Sequence, residues 1–400
     1  MSVSCRETPS SLRMPCGAYI MGGAINQHFV PQFYFRFFNG GSGHINLVRL
    51  RECSVIQFAP IKGQCARRKF YGFEDVEQGL SKLESQHACA LKALRKCAWD
   101  ETAPPLTDEQ WWRMLQAILI QRERTPRAGE LHATGAEEFA LYGFRAYLET
   151  LTGDPMAQAG VKAIDEGKIH VRQELLGMVL MGVQIAMRSV IGIADLESTI
   201  LRNHTANDFI FGDSPAVFYN HYLRGQDSRG ALGLQSRGLI ILLPLDGRTQ
   251  LMLYDSAVYA EIPQFVEILS DFEVSQLNAA QIHSARDTIY FGDQRASEYV
   301  SRLVRAHKPM LRETRTQFIV HKPGIVEIDG IPSDSEVFQS FEPQISLVLD
   351  FSFLKIVAPP HEDGTMRHRN AEIARMMKED ANLDDLHDDL IETHARPEIP

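Results

Sequence analysis

The residue best suited to proton transfer is a histidine at the start of the chain's most aromatic segment. That segment reads His28-Phe-Val-Pro-Gln-Phe-Tyr-Phe-Arg-Phe-Phe38 and is followed by Asn39-Gly40-Gly41. Proline favours the first turn of a helix, and Asn and Gly favour its end, so the pattern predicts a short helix. Because imidazole titrates near neutral pH, His28 is a candidate acid or base. The alternative is a cap or surface histidine, which is the commoner role at a helix end.

A carboxylate on the apolar face of a predicted helix is the second candidate. Glu84 follows Leu80 by four residues and precedes His87 by three, so all three lie on one helical face. An isolated buried charge is costly, and Glu84 must therefore be paired, hydrogen-bonded or protonated. The alternative is that this face is partly wet and that Glu84 lies at its rim.

A guanidinium and an amide share one face of the next predicted helix. Gln121 and Arg124 directly follow the apolar run Ile118-Leu119-Ile120. An arginine in this position can bind a carboxylate or phosphate through two hydrogen bonds, and Glu84 is its candidate partner within the chain. The alternative is a structural Arg–Glu pair to which Gln121 adds hydrogen bonds. The basic cluster at 122–127 is predicted to be a solvated face.

An aspartate turn completes the set of candidates. Asp213 follows the apolar residues 209–211 in the turn Gly212-Asp213-Ser214-Pro215. Ligands often bind where strands end, but an Asp that bonds its own backbone is the favoured reading of such a turn. Phe residues at helical spacing are predicted to be core, where they would hold His28 and Tyr34 in place.

Several classes of site are disfavoured by their missing signatures. The sequence contains no G-x-x-x-x-G-K-[ST], no G-x-G-x-x-G and no G-x-S-x-G. It has no paired His or Cys spacing that is typical of a metal site, and no metal or cofactor is predicted. All six cysteines lie in the first quarter of the chain without a C-x-x-C pair, which favours reduced structural thiols.

Composition indicates a globular protein without a broad basic surface. Of the net charge of −10, residues 361–400 supply −6, so the first 360 residues are nearly neutral and show no footprint for extended duplex DNA. The longest uncharged apolar run, Leu175 to Met187, is too short to cross a membrane. No secretory signal is recognisable, and a cytoplasmic location is expected. The pattern carries no signal for the oligomeric state.

Hydrophobic periodicity predicts an α+β fold, in which a helix-rich N-terminal half packs on a small mixed β-sheet in the C-terminal half. Residues 1–20 are predicted to be irregular, 21–358 to form one domain, and 359–400 to form an acidic, mobile tail. Within the domain the helical part covers about 70–200 and the sheet part about 205–358. Helices are expected at 76–98, from the capping box Thr107-Asp-Glu-Gln110 to about 124, and at 136–151, 156–166, 170–190, 274–285 and 296–307. Strands are expected at 44–50 and 54–58, which together form a hairpin, and at 209–211, 239–244, 250–254, 288–291, 317–321 and 345–349.

The ordered series of motifs resembles the domain of unknown function 4238 family over about residues 26–305. The series runs His28-Phe-Val-Pro31 with Tyr34, Leu80-Ser-Lys-Leu-Glu84, Gln121-Arg-Glu-Arg124-Thr-Pro and Phe209-Ile-Phe-Gly-Asp213-Ser-Pro, with Leu277-Asn278 later. Two positions depart from the family pattern. Phe35 stands where a Leu is usual, and Gly-Asp-Ser-Pro replaces Ser-Asp-Asn-Pro. The resemblance implies a mainly microbial family and supplies no activity.

Two hypotheses follow from these residues. The first is a hydrolase or nuclease-like enzyme that acts on a phosphate-containing substrate, RNA or a nucleotide, or on another small molecule. His28 and Glu84 would then transfer protons, and Arg124, held by Gln121, would stabilise negative charge. Asp213 would orient His28 or hold a weakly bound divalent ion. Tyr34, Gln121, Ser214 and Asn278 would bind the ligand. The second hypothesis is a non-catalytic structural or partner-binding protein, in which the same polar residues form a buried network.

Overall fold

A computed structural model describes the chain over residues 26–71, 74–224, 230–311, 316–328, 331–334, 336–342, 344–345, 347–360 and 365–378. Its helices are α1 Gln32–Phe38, α2 Glu74–Cys97, α3 Asp108–Glu123, α4 Pro126–Thr150, α5 Pro155–Asp165, α6 Leu175–Arg188, α7 Asp271–Ser284, α8 Ser297–His307 and α9 Ala371–Lys378. The predicted α+β class is confirmed. The predicted irregular segment 1–20 lies outside the described residues.

The strands are short and come from both halves of the chain. They are β1 Asn26–His28, β2 His44–Arg49, β3 Ser54–Pro60, β4 Ala66–Arg68, β5 Glu197–Asn203, β6 Phe211–Gly212, β7 Val217–Asn220, β8 Leu239–Pro244, β9 Thr249–Tyr254, β10 Phe265–Ile268, β11 Thr288–Phe291, β12 Gln317–His321, β13 Glu327–Ile328, β14 Ile331–Pro332, β15 Val337–Phe341 and β16 Thr365–Met366.

Two sheets form the centre of the described structure, where sequence periodicity predicts one. A five-stranded sheet has the order β10-β5-β9-β8-β7, and only its β10–β5 pair is parallel. A four-stranded antiparallel sheet has the order β3-β2-β11-β6. The predicted N-terminal hairpin therefore pairs with a strand from the C-terminal half, so the halves are joined through this sheet as well as through packing.

The aromatic helix α1 packs on the four-stranded sheet. The Phe35 ring meets the rings of Phe211 and Tyr290 edge-on, at centroid distances of 5.2 and 5.0 Å. At the end of α1 the Phe38 carbonyl oxygen occupies the space that a Cβ of residue 292 would need, so this position requires glycine. The prediction that these Phe residues are core agrees with their burial.

One predicted strand, 345–349, is absent from the described part of that segment. The backbone N–H of Leu349 donates to the Tyr219 hydroxyl, and that of Asp350 donates to the Gln276 side chain. Because side chains take these donors, Leu349 is buried without joining a sheet.

The segment predicted as a mobile tail begins with a docked portion. The Arg369 guanidinium donates to Asp195 at 2.8 and 2.9 Å and to the carbonyl oxygens of Gly192 and Leu234 at 3.0 Å. Its side chain is 4% exposed. This buried ion pair fixes the chain just before α9, so the charge-rich composition there does not indicate mobility. Residues 379–400 lie outside the described residues.

Among the residues that the structure describes, no helix combines the length and the apolar character that a membrane span requires.

The docking of this C-terminal portion can be tested with one substitution. Arg369→Ala leaves Asp195 unpaired in a mostly buried site, and we expect it to lower the free energy of unfolding by about 3 kcal/mol. The matched control is Arg295→Ala, which removes a 91% exposed guanidinium from its pair with Asp293 and should lower the free energy of unfolding far less. Urea denaturation measures both, and equal effects would contradict the docking.

Candidate functional site

The joint between α3 and α4 positions most of the polar side chains of interest. Thr107 and Gln110 form a capping box that starts α3, as the sequence predicts. After α3 ends, Thr125 adopts an extended conformation, accepts from the Ala128 N–H and leaves Pro126 as the first residue of α4. The chain turns here, so neighbouring side chains of residues 121–127 point to two different sites.

On one side of the joint the Arg124 guanidinium is 3% exposed and holds three segments. It contacts Glu84 of α2 at 2.8 Å, donates to the Tyr71 hydroxyl at 3.0 Å and donates to the His28 carbonyl oxygen of β1. The Arg124–Glu84 pair expected from the sequence is thus present. Because all three contacts are with other residues of the chain, this guanidinium stabilises the fold.

Gln121 and Tyr34 support the same region. Gln121, predicted to hold Arg124, instead donates to the Phe29 carbonyl oxygen at 2.9 Å. The buried Tyr34 hydroxyl donates to the Pro244 carbonyl oxygen, and burial raises its pKa well above the usual value. Both polar groups are therefore used to fix α1 and the residues before it.

His28 lines an open cleft of about 700 Å³ together with Glu84, Lys62 and Arg36. Its Nε2 lies 3.1 Å from the Lys62 carbonyl oxygen, so Nε2–H is the donor and Nδ1 is the acceptor. Burial lowers the pKa of His28, which keeps the imidazole neutral at pH 7. The structure thus brings together His28, Glu84 and Arg124, three of the residues to which the first hypothesis assigns roles.

Asp213 is used elsewhere, in backbone hydrogen bonds. Its carboxylate accepts from the N–H groups of Arg286, Asp287 and Thr288 at 2.7 to 3.1 Å, which fixes the loop between α7 and β11. Burial raises its pKa to about 6, although the three donors act in the opposite direction. As the alternative reading predicts, Asp213 binds backbone N–H groups. These groups lie more than 70 residues further along the chain, however, and not in its own turn.

Asn278 also binds the backbone. Its side-chain oxygen accepts from the Ile210 N–H at 3.0 Å, and its amide donates to the Asp208 carbonyl oxygen at 2.9 Å. These bonds hold α7 beside β6, in the interior of the protein.

The other side of the joint forms one wall of a chamber of about 430 Å³. The chamber lies between α4, the β6–β7 turn and the β12–β15 hairpin. Its polar lining contains Arg122, Glu123, Thr125, Arg127, His132, Ser214, Ser284 and Glu342, and its apolar lining includes Phe side chains from α4, β7 and the hairpin. Of the site residues predicted from the sequence, only Ser214 lines it among the described positions.

Two arginines in the chamber share one carboxylate. The Arg122 guanidinium contacts Glu342 Oε2 at 3.1 Å, and the Arg127 guanidinium contacts Oε1 at 3.0 Å. Arg122 also lies 3.9 Å from the centre of the Phe218 ring. Burial alone would raise the pKa of Glu342, but the two guanidiniums lower it below the usual value. The basic cluster predicted as a solvated face is thus mostly buried, since the Arg122 and Arg127 side chains are 18% and 13% exposed.

A histidine–carboxylate pair lies on the same wall. His132 Nε2 is 2.5 Å from Glu123 Oε2, and the two side chains are 30% and 16% exposed. This contact leaves Nδ1 of His132 to accept a proton. Sequence reasoning missed the pair because Glu123 and His132 are nine residues apart across a helix break, a spacing that no single-helix pattern relates.

Within the described ranges, no group of three or more His, Cys, Asp or Glu side chains is arranged to hold a metal ion.

The fold and the chamber together define an α+β protein with a cavity of mixed aromatic and charged lining. The chain belongs to the family described as "Protein of unknown function (DUF4238)", whose model matches residues 26–295, well over half of its length. This confirms the family resemblance of the motif series. Comparisons with curated proteins and with solved structures gave no match.

The Arg124 contacts predict a large loss of stability for a charge-conserving change. Arg124→Lys cannot donate to Glu84, Tyr71 and the His28 carbonyl group together, and we expect a loss of about 3 kcal/mol. In the control, Arg36→Lys, the exposed guanidinium donates only to Gln32 among the described residues, and the change should stay within about 0.5 kcal/mol. Chemical denaturation decides, and an Arg124→Lys variant as stable as the wild type would refute the proposed role of this guanidinium.

The raised pKa of Asp213 predicts a pH dependence. A carboxyl group whose pKa is about 6 when folded and about 3.9 when unfolded stabilises the fold most below pH 4, and this stabilisation is lost as pH rises through 6. Asp213→Asn cannot titrate there. The stability of the wild type relative to this variant should therefore fall by about 2 kcal/mol between pH 4 and pH 7. A difference that does not change with pH would contradict the prediction.

Proposed function

We propose that the chamber binds a phosphate-containing substrate and that the protein hydrolyses it by His/Glu acid–base chemistry. The observation that carries this proposal is the Glu123–His132 pair on the same wall as the Arg122 and Arg127 guanidiniums. A proton acceptor and a pair of anion-binding groups that line one cavity are the parts that phosphoester hydrolysis requires.

Four residues of the chamber have roles that follow from their chemistry. Glu123 holds the imidazole of His132 through Nε2–H, so that Nδ1 accepts a proton from a water molecule. The water oxygen bonds to phosphorus while the bond from phosphorus to the leaving oxygen breaks, and the proton is then delivered to that oxygen. Arg122 and Arg127 stabilise the negative charge on the phosphoryl oxygens.

The chamber supports this chemistry better than the cleft at His28. The chamber lining holds two guanidiniums and a hydrogen-bonded His–Glu pair, whereas Arg124 is not among the residues that line the His28 cleft. The roles predicted for His28 and Glu84 stay as predictions, and the activity assay includes a His28 variant.

A purely structural role is the second candidate function, and it concerns the polar motif residues that do not line the chamber. The specific support is that these polar side chains bind groups of their own chain: Arg124, Gln121, Tyr34, Asp213 and Asn278. Such a network stabilises the fold when its members are paired. The polar residues of the family motifs would then split into a structural set and a set that lines the chamber.

We also propose a cytoplasmic location. The described cysteines Cys53, Cys65 and Cys89 are free thiols, and free thiols are typical of reducing compartments. An RNA or a nucleotide remains the proposed natural ligand.

The activity proposal predicts a large effect at His132. His132→Gln should lower the hydrolysis of p-nitrophenyl phosphate, or of a single-stranded RNA oligonucleotide, by at least about 100-fold, because proton transfer is lost. Steady-state rates measured with folded protein test this expectation. The matched control is His204→Gln, since His204 contacts Glu267 on β10, at the edge of the five-stranded sheet opposite β7, and does not line the chamber.

The same assay distinguishes the two possible sites. His28→Gln should keep activity if the chamber is the active site. Loss of activity in that variant together with full activity in His132→Gln would move the site to the cleft. No hydrolysis of either substrate by the wild type would count against an enzyme and in favour of the structural candidate.

A further inference from the structure

The Glu342 carboxylate lies where a ligand's oxyanion would bind. Its two oxygens each meet a different guanidinium, at 3.0 Å from Arg127 and 3.1 Å from Arg122. A phosphate monoester or a carboxylate bound between two arginines makes the same two contacts. Arg127 is held in this orientation independently, because its other nitrogen donates to the Ser284 carbonyl oxygen at 3.0 Å.

The hairpin that carries Glu342 is attached to α4 by contacts that do not involve this carboxylate. The Thr316 hydroxyl donates to the Leu131 carbonyl oxygen at 2.6 Å. The Phe139 ring of α4 meets the rings of Phe338 and Phe318 edge-on, at 5.7 and 6.1 Å. The hairpin can therefore stay attached when Glu342 leaves the arginines. The hairpin also lies beyond residues 26–295, the part matched by the family model.

Charge balance in the chamber indicates what happens when Glu342 leaves. With Glu342 in place, the positive charges of Arg122 and Arg127 are balanced by Glu342 and Glu123. A further anion would then be poorly stabilised. Without Glu342, two buried guanidiniums face one carboxylate, and an anionic group is needed to satisfy them.

We infer that Glu342 is an internal occupant of the chamber's anion position and that the phosphate of a ligand binds by displacing it. The ligand class follows from the rest of the lining. Phe side chains, including Phe139, Phe218 and Phe338, surround the arginines, and flat rings pack well against such a wall. The ligand is therefore a phosphate ester that carries a flat ring, a class that includes the nucleotides. This inference rests on the proposed function, because the ligand is the substrate of the proposed hydrolase.

The test compares Glu342→Gln with the protein that keeps Glu342 in calorimetric titrations, and both proteins carry His132→Gln so that the probe is not hydrolysed. Phenyl phosphate is the probe, inorganic phosphate lacks the ring, and benzyl alcohol lacks the charge. We expect phenyl phosphate to bind the variant more tightly by about 5- to 150-fold, the range of typical coupling between competing groups. Inorganic phosphate should bind more weakly than phenyl phosphate, and benzyl alcohol should not gain affinity.

The matched control is Glu336→Gln on the same hairpin. Glu336 is exposed and accepts a hydrogen bond from the Tyr142 hydroxyl, outside the chamber lining. Its removal should leave the affinity for phenyl phosphate unchanged. Unchanged or weaker binding to folded Glu342→Gln would overturn the inference, and so would an equal gain in both variants.

A second measurement on the wild type covers the case in which Glu342→Gln does not fold. Displacement of Glu342 by saturating phenyl phosphate should increase hydrogen exchange at the end of β15, next to Glu342, while exchange in β8 stays constant. Saturation without such an increase would overturn the inference.

The two proposals fail in different ways. Tighter binding to Glu342→Gln without any hydrolysis would leave the displacement intact and reject the hydrolase. Hydrolysis by the wild type at a rate and affinity that Glu342→Gln does not change would reject the displacement and leave the hydrolase. If neither protein binds phenyl phosphate, both proposals fail.

Discussion

The structure depends on one buried guanidinium. Arg124 is 3% exposed, and taking its charge out of water is costly unless each contact is well made. Glu84 supplies the opposite charge, and the Tyr71 hydroxyl and the His28 carbonyl group supply polar contacts. These partners come from α2, from the segment after β4 and from β1. One side chain between α3 and α4 therefore joins β1, and with it the aromatic helix α1, to helices α2 and α3.

The same joint couples stability to the candidate chemistry. Residues 121–127 alternate between two sides: Gln121 and Arg124 bind the backbone of β1 and its extension, while Arg122, Glu123 and Arg127 line the chamber. A change on the first side would move the second, because both are carried by one turn of chain between two helices. Arg122 is additionally fixed against Phe218 of β7, which makes the five-stranded sheet part of the chamber wall. Rigid support of this kind is what a site needs in order to hold its charged groups in place.

Much of the fold follows from local patterns, and much of the site does not. Capping residues and apolar periodicity predict α3, the β2–β3 hairpin and β11 closely, because each is decided within a few residues of chain. The pairing of Glu84 with Arg124 also follows from helical faces. The chamber does not follow, since Glu342 meets Arg122 across 220 residues. The carboxylate of Asp213 was predicted in a turn, but its partners are donors more than 70 residues further along the chain. Periodicity identifies buried faces and carries no information on which distant segment covers them.

The central claim is that the oxyanion position of this protein lies between Arg122 and Arg127, on the opposite side of the joint from His28. A crystal structure of the full chain soaked with phenyl phosphate tests it most directly. The account predicts density for the phosphate between the two guanidiniums, with the ring against the Phe side chains and Glu342 moved away. Phosphate bound instead in the cleft beside His28, Lys62 and Arg36, with Glu342 still between its two arginines, would contradict it.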